Sequence, residues 1–148
     1  MPDSVLVPMD GSPLSKRALE VALDEHADAE ITVLHVIDPE EPGYSYPVDV
    51  DPYREPIQGS EAWFDRSHEL ANELFEEAEE IADNHDGSIR TETVVGRASR
   101  AIVEFVEDHG IDAIILGGHG RDDPENPLAG SVTEAVVFRS PVRVTIVR

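Results

Sequence analysis

The sequence predicts a doubly wound α/β fold: a single domain, residues 1–148, on a five-stranded, mainly parallel sheet with helices on both faces. Three observations carry it. Short β-branched runs alternate with longer segments of helical period. Their order, βαβ, a long loop, then αβαβαβ, is that of strands joined by helical crossovers. The length of 148 residues is that of one ordinary domain with one core.

The first strand is Ser4 to Met9 (SVLVPM), followed by Ser12 and Pro13 as N-cap and first helical residue. Leu14, Ala18, Ala22 and Leu23 then recur at helical spacing. Ile31 to Ile37 (ITVLHVI) is the second strand. Asp38 to Gly59 is a long loop holding five of the 11 prolines and all three tyrosines, too proline-rich for a hidden element. Ser60 opens a helix whose apolar face is expected through Trp63, Leu70, Leu74, Ala78 and Ile81, and Asn84 to Gly87 stops it. Ile89 to Val95 is the third strand. Ile102, Phe105 and Val106 mark a helix ended by Gly110, and Ala113 to Leu116 is the fourth strand. The last helix starts near Ser131, with Glu134 at capping-box spacing, and Val142 to Val147 closes the chain. Right-handed crossovers give the strand order 3-2-1-4-5, with the order reversing between strands 1 and 4. Ligands of such sheets bind at the carboxyl edge by that reversal, just after Pro8 and Leu116.

Composition narrows the partners. The chain carries 32 acidic residues against 11 basic ones, a formal charge of −21, and Lys16 is its only lysine. That field repels nucleic acid and anionic membranes. Self-repulsion of this size is tolerable where molar salt screens it, so the expectation is a salt-rich cytoplasm. No apolar run reaches membrane-helix length, and the N-terminus has no secretory pattern. The absence of cysteine removes disulfides, thiolate metal sites and cysteine nucleophiles.

The unusual chemistry lies in Ile115 to Thr133, ILGGHGRDDPENPLAGSVT. Gly117 and Gly120 are followed by nine residues and then Gly130 and Ser131 before a helix. Glycines let backbone N–H groups converge on phosphate oxygens, and a helix N-terminus adds its dipole and unpaired donors. Read from residues alone, these can equally be turn glycines and a simple N-cap. The segment is neither a P-loop nor the GxGxxG fingerprint. No HExxH pair, no GxSxG elbow and no catalytic constellation is found, and His35 reads as a core residue.

The spacing of those glycines with Ser131 resembles the ATP-binding pattern of the universal stress protein family. VLVPMDGSPLSKRAL, ITVLHVID and VVGRASRAI resemble the same family in order, so the likeness covers nearly the whole chain. It implies a Rossmann-like fold of the adenine nucleotide alpha hydrolase type and a homodimer paired through the last strand. It also implies bound ATP, or AMP or ADP, with magnesium or manganese at the phosphates. Carried over by position, Asp10 corresponds to the acidic residue beside ribose and adenine, and Pro8 and Met9 to the same wall. Val36 corresponds to the residue whose backbone meets the adenine edge. Leu116, Gly117, Gly120, Gly130, Ser131 and Val132 correspond to phosphate and ribose contacts. Asp122, Asp123 and Glu125 depart from the family pattern, since carboxylates there repel a triphosphate unless they point outward, bind metal or are screened. The function expected is a nucleotide-binding regulator of the stress response. The alternatives are a weak nucleotide hydrolase or phosphotransferase on this fold, and a dimeric interaction protein without nucleotide. The protein partner is left unknown.

Overall fold

The computed structural model describes residues 2–40, 57, 59–118 and 131–148, at 131 the backbone alone. Among them run β1 (Ser4–Pro8), α1 (Pro13–Glu25), β2 (Glu30–Ile37), α2 (Glu61–Asn84), β3 (Arg90–Val95), α3 (Ala98–His109), β4 (Ala113–Gly117), α4 (Ser131–Arg139) and β5 (Arg143–Val147). Each strand lies within one residue of its expected bounds at either end. The sheet order is β3-β2-β1-β4-β5 and every neighbouring pair is parallel, as expected.

Side chains leave the strands alternately and meet different helices on the two faces. Val5, Val7, Ile31, Val33 and Ile115 pack against Leu19, Leu23, Leu74 and Ala78 of α1 and α2. Leu6, Leu34, Ile114 and Leu116 pack against Ile102, Phe105 and Val136 of α3 and α4. Val5, Leu6 and Val7 have no solvent exposure. Full burial of such side chains stabilises by about 1.5–3 kcal/mol each, so the central strand anchors both layers.

The helix signals act as caps. Ser12 Oγ accepts the Ser15 N–H at 3.2 Å, and Ser60 Oγ accepts that of Trp63 at 3.1 Å. Gly110 ends α3 in the left-handed conformation at φ 61°. The cap expected at Ser131 falls on a side chain outside the described residues, although α4 does begin there with Glu134 in its first turn.

One expectation is corrected. The buried stripe of α2 is Trp63, Ser67, Ala71, Leu74, Ala78 and Ala82; Leu70 is only half-buried and outside the core, while Ile81, also half-buried, packs against the core as expected. Small residues hold the stripe, so the helix can lie close to its neighbours. The hydroxyl that this buries, Ser67 Oγ, donates to the Trp63 carbonyl at 2.8 Å. Asp38 begins the loop after β2, as expected, and has a role there that the sequence did not show. It is 1% exposed, and its Oδ2 accepts the Ala98 N–H at 2.9 Å. It thereby caps α3, whose own N-cap residue, Arg97, makes no side-chain cap bond. Residues 41–56 and 58 of that loop lie outside the described residues.

Candidate functional site

β1 and β4 pair only at Val5↔Ala113 and Leu6↔Ile114. Both strands run on. β1 stays bound to β2 as far as Pro8↔Leu34, and β4 to β5 as far as Gly117↔Val147. They therefore part at the carboxyl edge where the strand order reverses, and the gap is the crevice that open α/β sheets use for ligands.

Pro8 ends β1, and the chain turns out of the sheet through Met9, Asp10 and Gly11. Gly11 has φ +86°, a conformation that L side chains rarely adopt. Asp10 is half-buried, and its Oδ1 accepts the Ser12 N–H at 2.8 Å, tying the turn to the start of α1. Its other oxygen carries no hydrogen bond among the described residues.

Met9 fixes this turn through its backbone. Its N–H donates to the Leu34 carbonyl at 2.9 Å, while its side chain, 1% exposed, belongs to the core under α1 and α2. The Met9 carbonyl meets His35 Nδ1 at 2.8 Å. A carbonyl only accepts, so the ring nitrogen is the donor there. Burial pushes the His35 pKa below its ordinary 6.5, helped by His68 and opposed by the Met9 carbonyl and Asp10. His35 is thus a neutral core residue, as expected, and also a strut behind the Asp10 turn.

Val36 sits in β2 two residues past Leu34, the last β1 partner, where the strand is still paired to β3 at Val94. Its side chain joins those of Leu116 and Val132 in the apolar cluster under α3 and α4. Val36 and Leu116 are therefore core side chains, 0% and 5% exposed, and only Val132 of the three is partly open.

Gly117 has a packing reason of its own. A Cβ on it would stand 2.6 Å from the Leu14 carbonyl carbon and 2.8 Å from the Ser15 nitrogen, so only glycine lets the first turn of α1 press onto β4. The Gly118 N–H donates to the Val147 carbonyl at 2.7 Å. Thr133, not singled out from sequence, is 5% exposed with its Oγ1 3.5 Å from the Gly117 carbonyl. The signal that could have found it is a hydroxyl residue in the first turn of the helix that begins at Ser131. Gly120, Gly130, His119, Arg121, Asp122, Asp123 and Glu125 lie outside the described residues.

A family model described as the universal stress protein family matches residues 1–148. The chain belongs to the universal stress protein family. Two curated members from Methanocaldococcus jannaschii are 30% and 32% identical to it, each over 97% of this chain and over 81% and 93% of their own lengths. Among solved structures, the UspA protein of Lactobacillus plantarum superposes with a TM-score of 0.74 at 25% identity, covering 98% of this chain and 97% of its own. Two more distant members share the fold. One, solved in complex with cAMP, has a TM-score of 0.71 at 23% identity, covering 99% of this chain and 97% of its own. The other, from Archaeoglobus fulgidus and solved in complex with dAMP, has a TM-score of 0.63 at 18% identity, covering 100% and 98%. Among the described residues, no helix of this universal stress protein is long and apolar enough to cross a membrane.

Proposed function

We propose that this chain binds an adenine nucleotide, ATP or its mono- or diphosphate, in the crevice between β1 and β4 and acts as a nucleotide-responsive regulator in a salt-rich cytoplasm. The parting of β1 and β4 above the Asp10 turn carries the reading. The second Asp10 oxygen is available to accept ribose hydroxyls, and the half-buried Val132 offers apolar surface to the base. Two family members solved with cAMP and dAMP support the ligand class. Gly120, Gly130 and the start of α4 at Ser131 would receive the phosphates. Among the described residues, no group of three or more His, Cys, Asp or Glu is placed to hold a metal ion. Magnesium or manganese would accompany the phosphates, with their oxygens and water among its ligands, as is usual for magnesium.

A homodimer through β5 belongs to the same proposal. β5 is a sheet edge, and pairing would cover it along with neighbouring Phe138, which is 75% exposed. A dimer mass by light scattering in molar salt is expected, and a monomer mass would refute that part.

Calorimetric titration of ATP, ADP and AMP tests the nucleotide site. Saturable binding is expected in the wild type and its loss in Gly120→Val and Gly130→Val, because a branched side chain blocks the approach of phosphate. The double variant Asp122→Asn with Asp123→Asn should bind as well or better at low salt, through relief of like-charge repulsion. No binding of any of the three by folded wild type, or undiminished affinity in both glycine variants, overturns the site.

A further inference from the structure

On the α3 and α4 face a cleft of about 300 Å³ is lined by Asp38, Glu40, Arg97, Ser99, Val132 and Arg139. Three of its four carboxylate oxygens are already engaged. Asp38 Oδ2 takes the Ala98 N–H, and Oδ1 takes the Glu40 N–H at 2.9 Å. The Glu40 carboxylate faces Arg97 Nη2 at 3.4 Å. Donors are left over: the Arg139 guanidinium, the remaining N–H groups of Arg97 and the Ser99 hydroxyl.

Ser99 is the decisive residue. It stands in the first turn of α3, is 8% exposed, and its hydroxyl makes no hydrogen bond among the described residues. The other buried helical serines do otherwise: Ser15 and Ser67 each donate to a carbonyl one turn back at 2.8 Å. Its oxygen is not sealed in the core but opens on the cleft, so it is a donor that a ligand there can use.

The geometry points to a second ligand site in this cleft, for a small organic oxyanion, a phosphomonoester or a carboxylate, held by Ser99, Arg97 and Arg139. Hydroxyl and guanidinium donors match oxyanion acceptors, and the planar fork of arginine takes two oxygens at once. The volume is at the lower end for organic ligands, with Val132 as apolar wall. Charge permits the same class: in a chain with 32 acidic and 11 basic residues, this lining balances two guanidiniums against two carboxylates. Val132 borders both this cleft and the crevice, so the two sites are neighbours, but the cleft does not depend on nucleotide binding.

The test is a two-dimensional NMR titration of the full chain, at the lowest salt that keeps it folded, with glycerol 3-phosphate, succinate and inorganic phosphate as probes. Saturable shifts of the Ala98 and Ser99 amides and the Arg139 Nε–H are expected with one or both organic anions, and which one shifts them separates phosphomonoester from carboxylate. Ser99→Ala and Arg139→Gln should each weaken that binding roughly tenfold or more, the loss of a charge-assisted hydrogen bond, and leave ATP affinity within about twofold. Arg139 is exposed, so its variant tests the site without threatening the fold. Three results would overturn the proposal: no saturable shift with any probe, unchanged anion affinity in both variants, or an equal loss of ATP affinity, which would make the cleft part of the nucleotide site.

Discussion

His35 joins two roles in one imidazole. Its Nδ1 donates to the Met9 carbonyl behind the Asp10 turn, and burial holds its pKa below the ordinary 6.5. Because the folded state resists a proton that the unfolded chain accepts, stability present above about pH 6.5 is lost as pH falls toward the folded-state value. Urea midpoints should therefore fall between about pH 7 and pH 5. In His35→Gln, where nothing titrates at this position, the fall should be shallower whatever the variant's absolute stability. An unchanged slope in the variant would show that His35 is not the group responsible. From sequence, His35 could be read as buried, since it lies inside ITVLHVI, but its partner could not. The Met9 carbonyl is 26 residues away and reaches the ring only because β1 and β2 are in register at Pro8↔Leu34.

At the scale of elements, apolar runs and caps of the local sequence were enough to find every strand and helix among the described residues, because those signals act within a turn or a strand. What escaped is what distant elements impose on one another. Asp38 is an example. Read locally it begins a proline-rich loop, yet it caps a helix 60 residues further on. Asp38→Ala should leave the Ala98 N–H buried without an acceptor and destabilise by about 1–3 kcal/mol, with hydrogen exchange at Ala98 rising before that of the β1 core. Thermal denaturation and exchange measured on the same variant check both statements, and an unchanged melting temperature would mean that water replaces the carboxylate. Gly117 carries the same lesson. The glycine pattern marked it for phosphate approach, whereas its contact with the first turn of α1 depends on how that helix crosses β4. α2 was misread at Leu70, which outweighs its neighbour Ala71 in apolarity, while close packing selects the smaller residue.

Across the whole molecule, a charge of −21 sets the conditions under which the fold persists. The Debye length is about 3 Å in molar salt and about 30 Å at 0.01 M, so dilution exposes each carboxylate to many others. Circular dichroism and melting temperature should both fall on transfer from molar potassium chloride to dilute buffer, and a melting temperature that does not move would end the salt-adaptation reading. The forked sheet has a mechanical consequence as well. β1 and β4 share two paired positions, whereas the flanking strand pairs run for five or six. The seam between them is the shortest ladder in the sheet, and α1, packed on β1, β4 and β5, lies across it like a splint. Pulled apart under load, the molecule should divide into β3-β2-β1 and β4-β5 halves at this seam. The first resistance to that division would come from the backbone of Leu14 and Ser15 seated against Gly117, the contact that a single added methyl group would pry open.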